Sequence, residues 1–206
     1  MPRFTSILCA SLCIILVSCC PITSQHPLGK PAEAKFDERL AGAWYGGSSE
    51  HDKGVFHFGK GTGNETLVLA VEHKPDKAME TATFPVFSHT INKRHYLNIP
   101  LATLNIEDVK KYHYTGYITI QYQLSNPDTL VFFEMDEDVL AKAIEEKQIK
   151  GKITYDEVKP TDKNAKATKK IDCVSISDTT ENLQKYITSE KAKNLFRPYM
   201  TLKRVR

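Results

Sequence analysis

Hydrophobic and polar positions alternate with a period of two through most of the chain between Leu40 and Phe133, which predicts β-strands that turn one face to a core. The clearest run is Tyr112 to Leu124. There Gly116, Ile118, Ile120, Tyr122 and Leu124 share one face, and Tyr117, Thr119, Gln121 and Gln123 the other. Ser125-Asn126-Pro127-Asp128 has turn chemistry, and Thr129 to Phe133 returns as the partner strand. Upstream, Val55 to Phe58 and Leu67 to Val71 flank a turn carrying Gly59, Gly61, Gly63 and Asn64. Thr83 to Ile91 pairs with His95 to Leu101 around Asn92-Lys93-Arg94. Half-buried antiparallel strands in this number curl and close, because closure removes exposed edges. The expected fold is mainly β, an antiparallel barrel or strongly curled sheet.

Toward the C-terminus the period becomes helical twice. Asp136 can cap a helix whose apolar positions Met135, Val139, Leu140, Ala143 and Ile144 share one side, with Glu137 and Asp138 in the first turn and Gly151 placed to stop it. Asp178-Thr179-Thr180-Glu181 has the spacing of a capping box, and Leu183, Ile187, Leu195 and Phe196 follow at helical intervals. Between the two lie a strand over Lys152 to Val158 and a lysine-rich stretch, Lys159 to Lys170. That stretch reads as a solvated loop, or as a contact for acidic headgroups or cell-wall polymers.

The amino terminus has the layout of an export signal. Arg3 supplies a single charge, and the 14 residues from Phe4 to Val17 carry none. A membrane-spanning helix needs roughly 20 apolar residues, so this run is too short to be one. Leu16-Val17-Ser18-Cys19 resembles the processing site of bacterial lipoproteins, in which the cysteine after the cut is acylated. The resemblance implies a signal peptide over residues 1–18, Cys19 as the lipidation site, and retention at the membrane through that lipid. Two or more acyl chains, at about 0.8 kcal/mol per buried methylene, make release negligible. Cys20, where the family's inner-membrane retention signal has Asp, favours the periplasmic side of an outer membrane. The alternative is an ordinary secretory signal cut later, for example after Ser24, with Cys19 discarded. Pro21, Pro27, Gly29 and Pro31 make residues 19–35 a lipidated cysteine and flexible tether, leaving 36–206 as one domain that opens with a short helical turn near Phe36 to Leu40.

Charge and cysteine content narrow the classes. A formal net charge of +3 over 206 residues, with lysines that lack neighbouring aromatics, gives no footprint for nucleic acid. Of five cysteines, Cys9 and Cys13 leave with the signal and Cys19 is acylated, so Cys20 and Cys173 remain. A bridge between them would tie a flexible leader to the body; a free, buried Cys173 is therefore the expectation.

Leu40-Ala41-Gly42-Ala43-Trp44-Tyr45 resembles the Gly-x-Trp signature of the first strand in lipocalin-like, calycin-type barrels. The resemblance implies that Trp44 plugs the closed end and that a basic residue near the last strand, Arg204 or Arg197, covers the indole, contributing about 0.5–2 kcal/mol. Tyr199 to Arg204 would be that last strand. The mature chain is also similar to a group of uncharacterised bacterial lipoproteins. They share a tryptophan near the start, an Asp-Thr-Leu turn (Asp128-Thr129-Leu130), an acidic helix cap, and Ser-Asp-x-x-Glu-Asn-Leu before a terminal Leu-Phe. This implies a fold and an envelope location but no chemistry.

For catalysis the chain offers no Gly-x-Ser-x-Gly, Ser-x-x-Lys or His-Glu-x-x-His arrangement, and Cys173 sits in an apolar, strand-like setting that would quiet its thiol. No cofactor is implied. His51, His57, His73, His89, His95 and His113 are scattered singly, and three would have to converge for a metal. Helix capping accounts for Asp136, Glu137 and Asp138 without calcium. Two functions remain open. A barrel could enclose a small apolar ligand, with Ala70, Ala82 and Gly116 as inward-facing small residues. Alternatively, a tethered module could bind an envelope protein or polymer through exposed aromatics, with Tyr96, Tyr112, Tyr114 and Tyr117 as candidates. Tyr112, Tyr114 and Tyr117 are the binding residues favoured for ligand or partner, although Tyr117 faces away from the other two.

Overall fold

A computed structural model describes residues 22–49, 53–72, 79–104, 115–158 and 168–206. Residues 1–21, which include the expected signal, Cys19 and Cys20, lie outside them, as do Tyr112 and Tyr114.

Eight strands form a closed antiparallel barrel: β2 (Gly42–Gly47), β3 (Lys53–Lys60), β4 (Thr66–Glu72), β5 (Glu80–Ile91), β6 (Arg94–Pro100), β7 (Tyr117–Asn126), β8 (Thr129–Met135) and β11 (Phe196–Arg204). Each pairs with its neighbour in that order, β11 pairs with β2, and the ring is complete. The predicted β5–β6 hairpin turns on Asn92 and Lys93, both with positive φ (48° and 64°). That is the backbone required by a two-residue turn matched to strand twist. Inward positions follow the period of two: Phe56 and Phe58, Val68 and Ala70, Phe84 and Val86, Leu97 and Ile99, Ile118 and Ile120, Leu130 and Phe132, Met200 and Leu202 are all buried in one core.

A second core lies outside the barrel wall. Helix α1 (Glu137–Glu145), helix α2 (Thr180–Ile187) and the hairpin of β9 (Gly151–Val158) and β10 (Thr168–Ile176) pack Leu140, Ala143, Val174, Ile176, Leu183 and Ile187 against Tyr96, Met135 and Phe196. Tyr96 therefore points outward from the barrel yet is fully buried, which removes it as an exposed binding aromatic. Because this cover reaches β7, Thr119, on the predicted polar face, is buried too; its hydroxyl donates to Asn98 Oδ1 at 3.1 Å.

Both helix starts form near their predicted positions, but the details differ. Asp136 caps α1 by accepting from the Asp138 and Val139 amides, each at 3.1 Å. The helix ends at Glu145, with Lys147 in the left-handed region (φ 59°), and Gly151 opens β9 instead of stopping the helix. Thr179, rather than Asp178, is the N-cap of α2. Buried Asp178 accepts from the Lys150 and Thr179 amides and from Asn182, so it ties α2 to the start of β9. The predicted second helix does not reach Phe196: a 3-10 turn at Glu190–Ala192 ends the helical stretch and Phe196 begins β11.

The largest departure is the leader. Residues 22–35, expected as part of a tether from their prolines, run packed along the body. Thr23–Ser24 forms β1, parallel to β10 (Thr23 opposite Ser175, Ser24 opposite Ile176) and touching β7 at Tyr117. Leu28 is fully buried in the outer core, its amide donating to Asn98 Oδ1 at 2.8 Å, and Gln184 and Thr180 of α2 donate to the Leu28 and Pro27 carbonyls. The prolines set extended backbone for a segment several of whose backbone polar groups bond to the domain. Gly116 belongs to this passage and not to a ligand cavity. Its φ of 96° suits glycine, and a Cβ there would strike the Ser24 carbonyl.

Candidate functional site

The barrel interior is the first candidate. Its centre holds an apolar void of about 40 Å³ lined by Phe56, Phe58, Phe84, Leu97, Ile120 and Phe132 among others. The Phe58 and Phe132 rings lie 6.3 Å apart and Tyr122 stands 6.5 Å from Phe132, so aromatic side chains occupy the space a ligand would take. Small-molecule pockets run to roughly 300–1,000 Å³. Ala70 does face inward and Ala82 packs at the core's edge, but neighbouring phenylalanines fill the room they leave.

One barrel end is closed by the chain before β2. Trp44 is fully buried and its Nε1 donates to the Leu40 carbonyl at 2.7 Å. Arg204 lies over it, with the guanidinium carbon 4.2 Å from the ring centroid. The same guanidinium donates to the carbonyls of Ala41 and Arg39, each at 2.7 Å, and of Pro127 at 3.0 Å. Arg197, the other candidate cover, pairs instead with Glu134 and Asp136 at the start of β11.

Beside the plug a polar network fixes the leader. Asp37 accepts both branches of a bidentate Arg39 pair (2.8 and 2.7 Å) and a hydrogen bond from the Tyr122 hydroxyl at 2.8 Å, while Ser88 Oγ lies 3.3 Å from that hydroxyl. Burial pushes the Asp37 carboxyl up, but the Arg39 and Tyr122 donors outweigh it and hold the group below its ordinary range. Burial and the Asp37 charge together raise the Tyr122 hydroxyl well above its usual value. Burial and then the Arg39 charge lower His95. Arg39 can only donate, so His95 Nε2 accepts from it at 3.0 Å, and Nδ1 carries the proton that goes to Thr90 Oγ1 at 2.9 Å. Tyrosine proton and aspartate charge both sit where their shifted affinities keep them, so the network's evident work is to hold the 3-10 turn Glu38–Leu40 across the barrel end. A polar cleft of about 730 Å³ adjoins it, where Glu33, Lys35, Asp37 and Arg39 alternate in sign and give no single charge for a ligand to meet.

The outer wall supplies a third candidate, which reading the sequence for pockets and motifs passed over. Helices and the β9–β10 hairpin cover the flank around β6, whereas on the flank formed by β2 to β5 no described element covers Tyr45, Leu67 or Leu69. There the register aligns Tyr45, Val55, Val71 and Thr81 in one row, Ala43, His57, Leu69 and Thr83 in a second, and Gly59, Leu67 and Pro85 in a third. Tyr45 is 48 % exposed, Leu67 41 % and Leu69 36 %, and these three rows hold no lysine, arginine or carboxylate. The signal was present as Leu67 and Leu69 alternating with Val68 and Ala70: a strand apolar on both faces has two surfaces to cover.

Of the other predicted positions, Tyr117 is described and half-buried at the seam with β1. The expectation of a free Cys173 is overturned: it is disulfide-bonded and only partly buried. Among the described residues no group of three or more histidine, cysteine, aspartate or glutamate side chains is placed to hold a metal ion. No protein-family model, curated protein or solved structure matches this chain.

Proposed function

We propose that this protein is a lipid-anchored lipoprotein of the bacterial envelope, favouring the outer membrane, whose barrel is a scaffold that binds another envelope protein on its β2–β5 face. The supporting observation is the contrast between a barrel interior with a void of about 40 Å³ and an outer wall on which, among the described residues, Tyr45, Leu67 and Leu69 stand exposed. Apolar rows exposed together on a folded surface mark a place where another surface sits. A partner there would be selected chiefly by shape and apolar contact, because the rows within β2–β5 hold no lysine, arginine or carboxylate and Lys203 meets them only at the β11 border.

Charge placed in those rows tests the reading. Leu67→Asp and Leu69→Asp should abolish cross-linking of the membrane-bound protein to its partner in cells, while the melting temperature stays within a few degrees of wild type, since both side chains already face water. Undiminished cross-linking in both variants would remove this face from the function. A second reading, binding of a small apolar ligand, draws on the wholly apolar lining of the central void, which rotation of its phenylalanines would enlarge.

A further inference from the structure

At the plugged end of the barrel β6 and β7 part, and the wall opens into a notch. Their ladder runs from Pro100 opposite Tyr117 to His95 opposite Tyr122 and stops there. Past that point the β5–β6 hairpin turns back at Asn92 and Lys93, whereas β7 stays with β8, Gln123 opposite Val131 and Leu124 opposite Leu130. The space between is a cleft of about 290 Å³, at the low end of the roughly 300–1,000 Å³ of small-molecule pockets. Its lining is of one sign: Arg39, Lys93 and Arg94 reach it, and no carboxylate does. Among the described residues neither Lys93 nor Arg94 makes an ion pair. Asp37 and His95 take Nε and Nη2 of Arg39, leaving Nη1 for the cleft. One of the three cationic charges is therefore already met by Asp37, and two are not. The inner side of the cleft is apolar and flat. Both nitrogens of His95 are engaged, with Arg39 and Thr90, so its ring adds surface without charge; it lies 5.3 Å from the Tyr122 ring, and Leu124 completes the floor.

We propose that this notch binds a small organic phosphate, its phosphate group between Lys93, Arg94 and the Nη1 of Arg39, and its organic group against His95, Tyr122 and Leu124. A phosphate monoester carries about −1.5 to −2 charge near pH 7, which answers the two uncompensated cations; a carboxylate answers one. Guanidinium groups meet phosphate oxygens with paired N–H donors, and the lysine adds a point charge. Much of the site is held in place before a ligand arrives. The bidentate bond to Asp37 fixes Arg39, and the two-residue turn, with Lys93 at φ 64°, fixes the backbone that presents Lys93 and Arg94. Because Arg39 belongs to the 3-10 turn across the barrel end, a ligand here ties that turn to the β5–β6 hairpin and stabilises the fold on binding. The proposal is independent of the membrane anchor and of the β2–β5 face.

Calorimetric titration of the full chain with phenyl phosphate, a monoester on a flat apolar group, tests the assignment. One molecule should bind per chain and raise the melting midpoint as its concentration rises. Inorganic phosphate, which lacks the ring, and benzoate, which lacks the second charge, should each bind about tenfold more weakly or worse. Lys93→Gln combined with Arg94→Gln should weaken phenyl phosphate by about tenfold or more, as should Lys93→Glu alone. Both side chains are exposed, so the ligand-free midpoints should stay within about two degrees of wild type. Lys185→Gln, an exposed lysine on α2 away from the notch, should bind like wild type. No saturable binding at millimolar phenyl phosphate, or undiminished binding by the Lys93 and Arg94 variants, overturns the site. Equal affinity for inorganic phosphate overturns the organic part of the assignment, and an equal loss in Lys185→Gln reduces the binding to general charge and overturns it as well.

Discussion

Replacing Trp44 with alanine should cost about 3–5 kcal/mol of unfolding free energy, the usual range for an aromatic truncated in a packed core. The indole is fully buried at the closed end of the barrel and makes two interactions that alanine cannot. It donates to the Leu40 carbonyl, fastening the 3-10 turn that covers the barrel end, and it is the surface on which the Arg204 guanidinium rests. The loss is therefore not confined to a cavity, because the Leu40 carbonyl loses its partner at a buried position and Arg204 loses the ring it rests on. Trp44 is the only tryptophan, so urea unfolding should be followed by circular dichroism rather than fluorescence. A change below about 1 kcal/mol would mean that the plug does not hold the barrel closed.

Cys19→Ala should abolish acylation of the protein. The expected anchor is two or three acyl chains on one residue; no described helix is long and apolar enough to cross a membrane. The variant should keep its signal uncut by the lipoprotein peptidase and incorporate no labelled palmitate, and no mature, signal-free form should partition into the detergent phase. Normal membrane retention with label still incorporated would contradict Cys19 as the site.

The barrel was legible wherever one strand face meets the core and the other does not. In β5 and β6 the alternation, the Asn92-Lys93 turn and the apolar set all point the same way, and the hairpin formed as expected. The α1 cap was legible for the same reason, since Asp136 acts on its own neighbours. What could not be read depends on distant residues. Two residues of β1 are too few to show a period, and proline on either side of them is equally the composition of a loose linker. Only the groove beside Asn98, Thr180 and Gln184 makes the leader a fixed element. The expectation of a free Cys173 rests on the same picture of a loose leader, and Cys173 is disulfide-bonded. The filled interior was hidden as well: an inward Phe looks the same in a sequence whether it lines a cavity or closes one.

The proposal that the barrel is a scaffold and not a carrier is tested most directly by native mass spectrometry of the protein extracted from its own membrane. The expected mass is that of the polypeptide with its covalent acyl chains and nothing more. A small apolar molecule retained at one per protein and lost on unfolding would contradict the scaffold reading and return the function to the inside of the barrel.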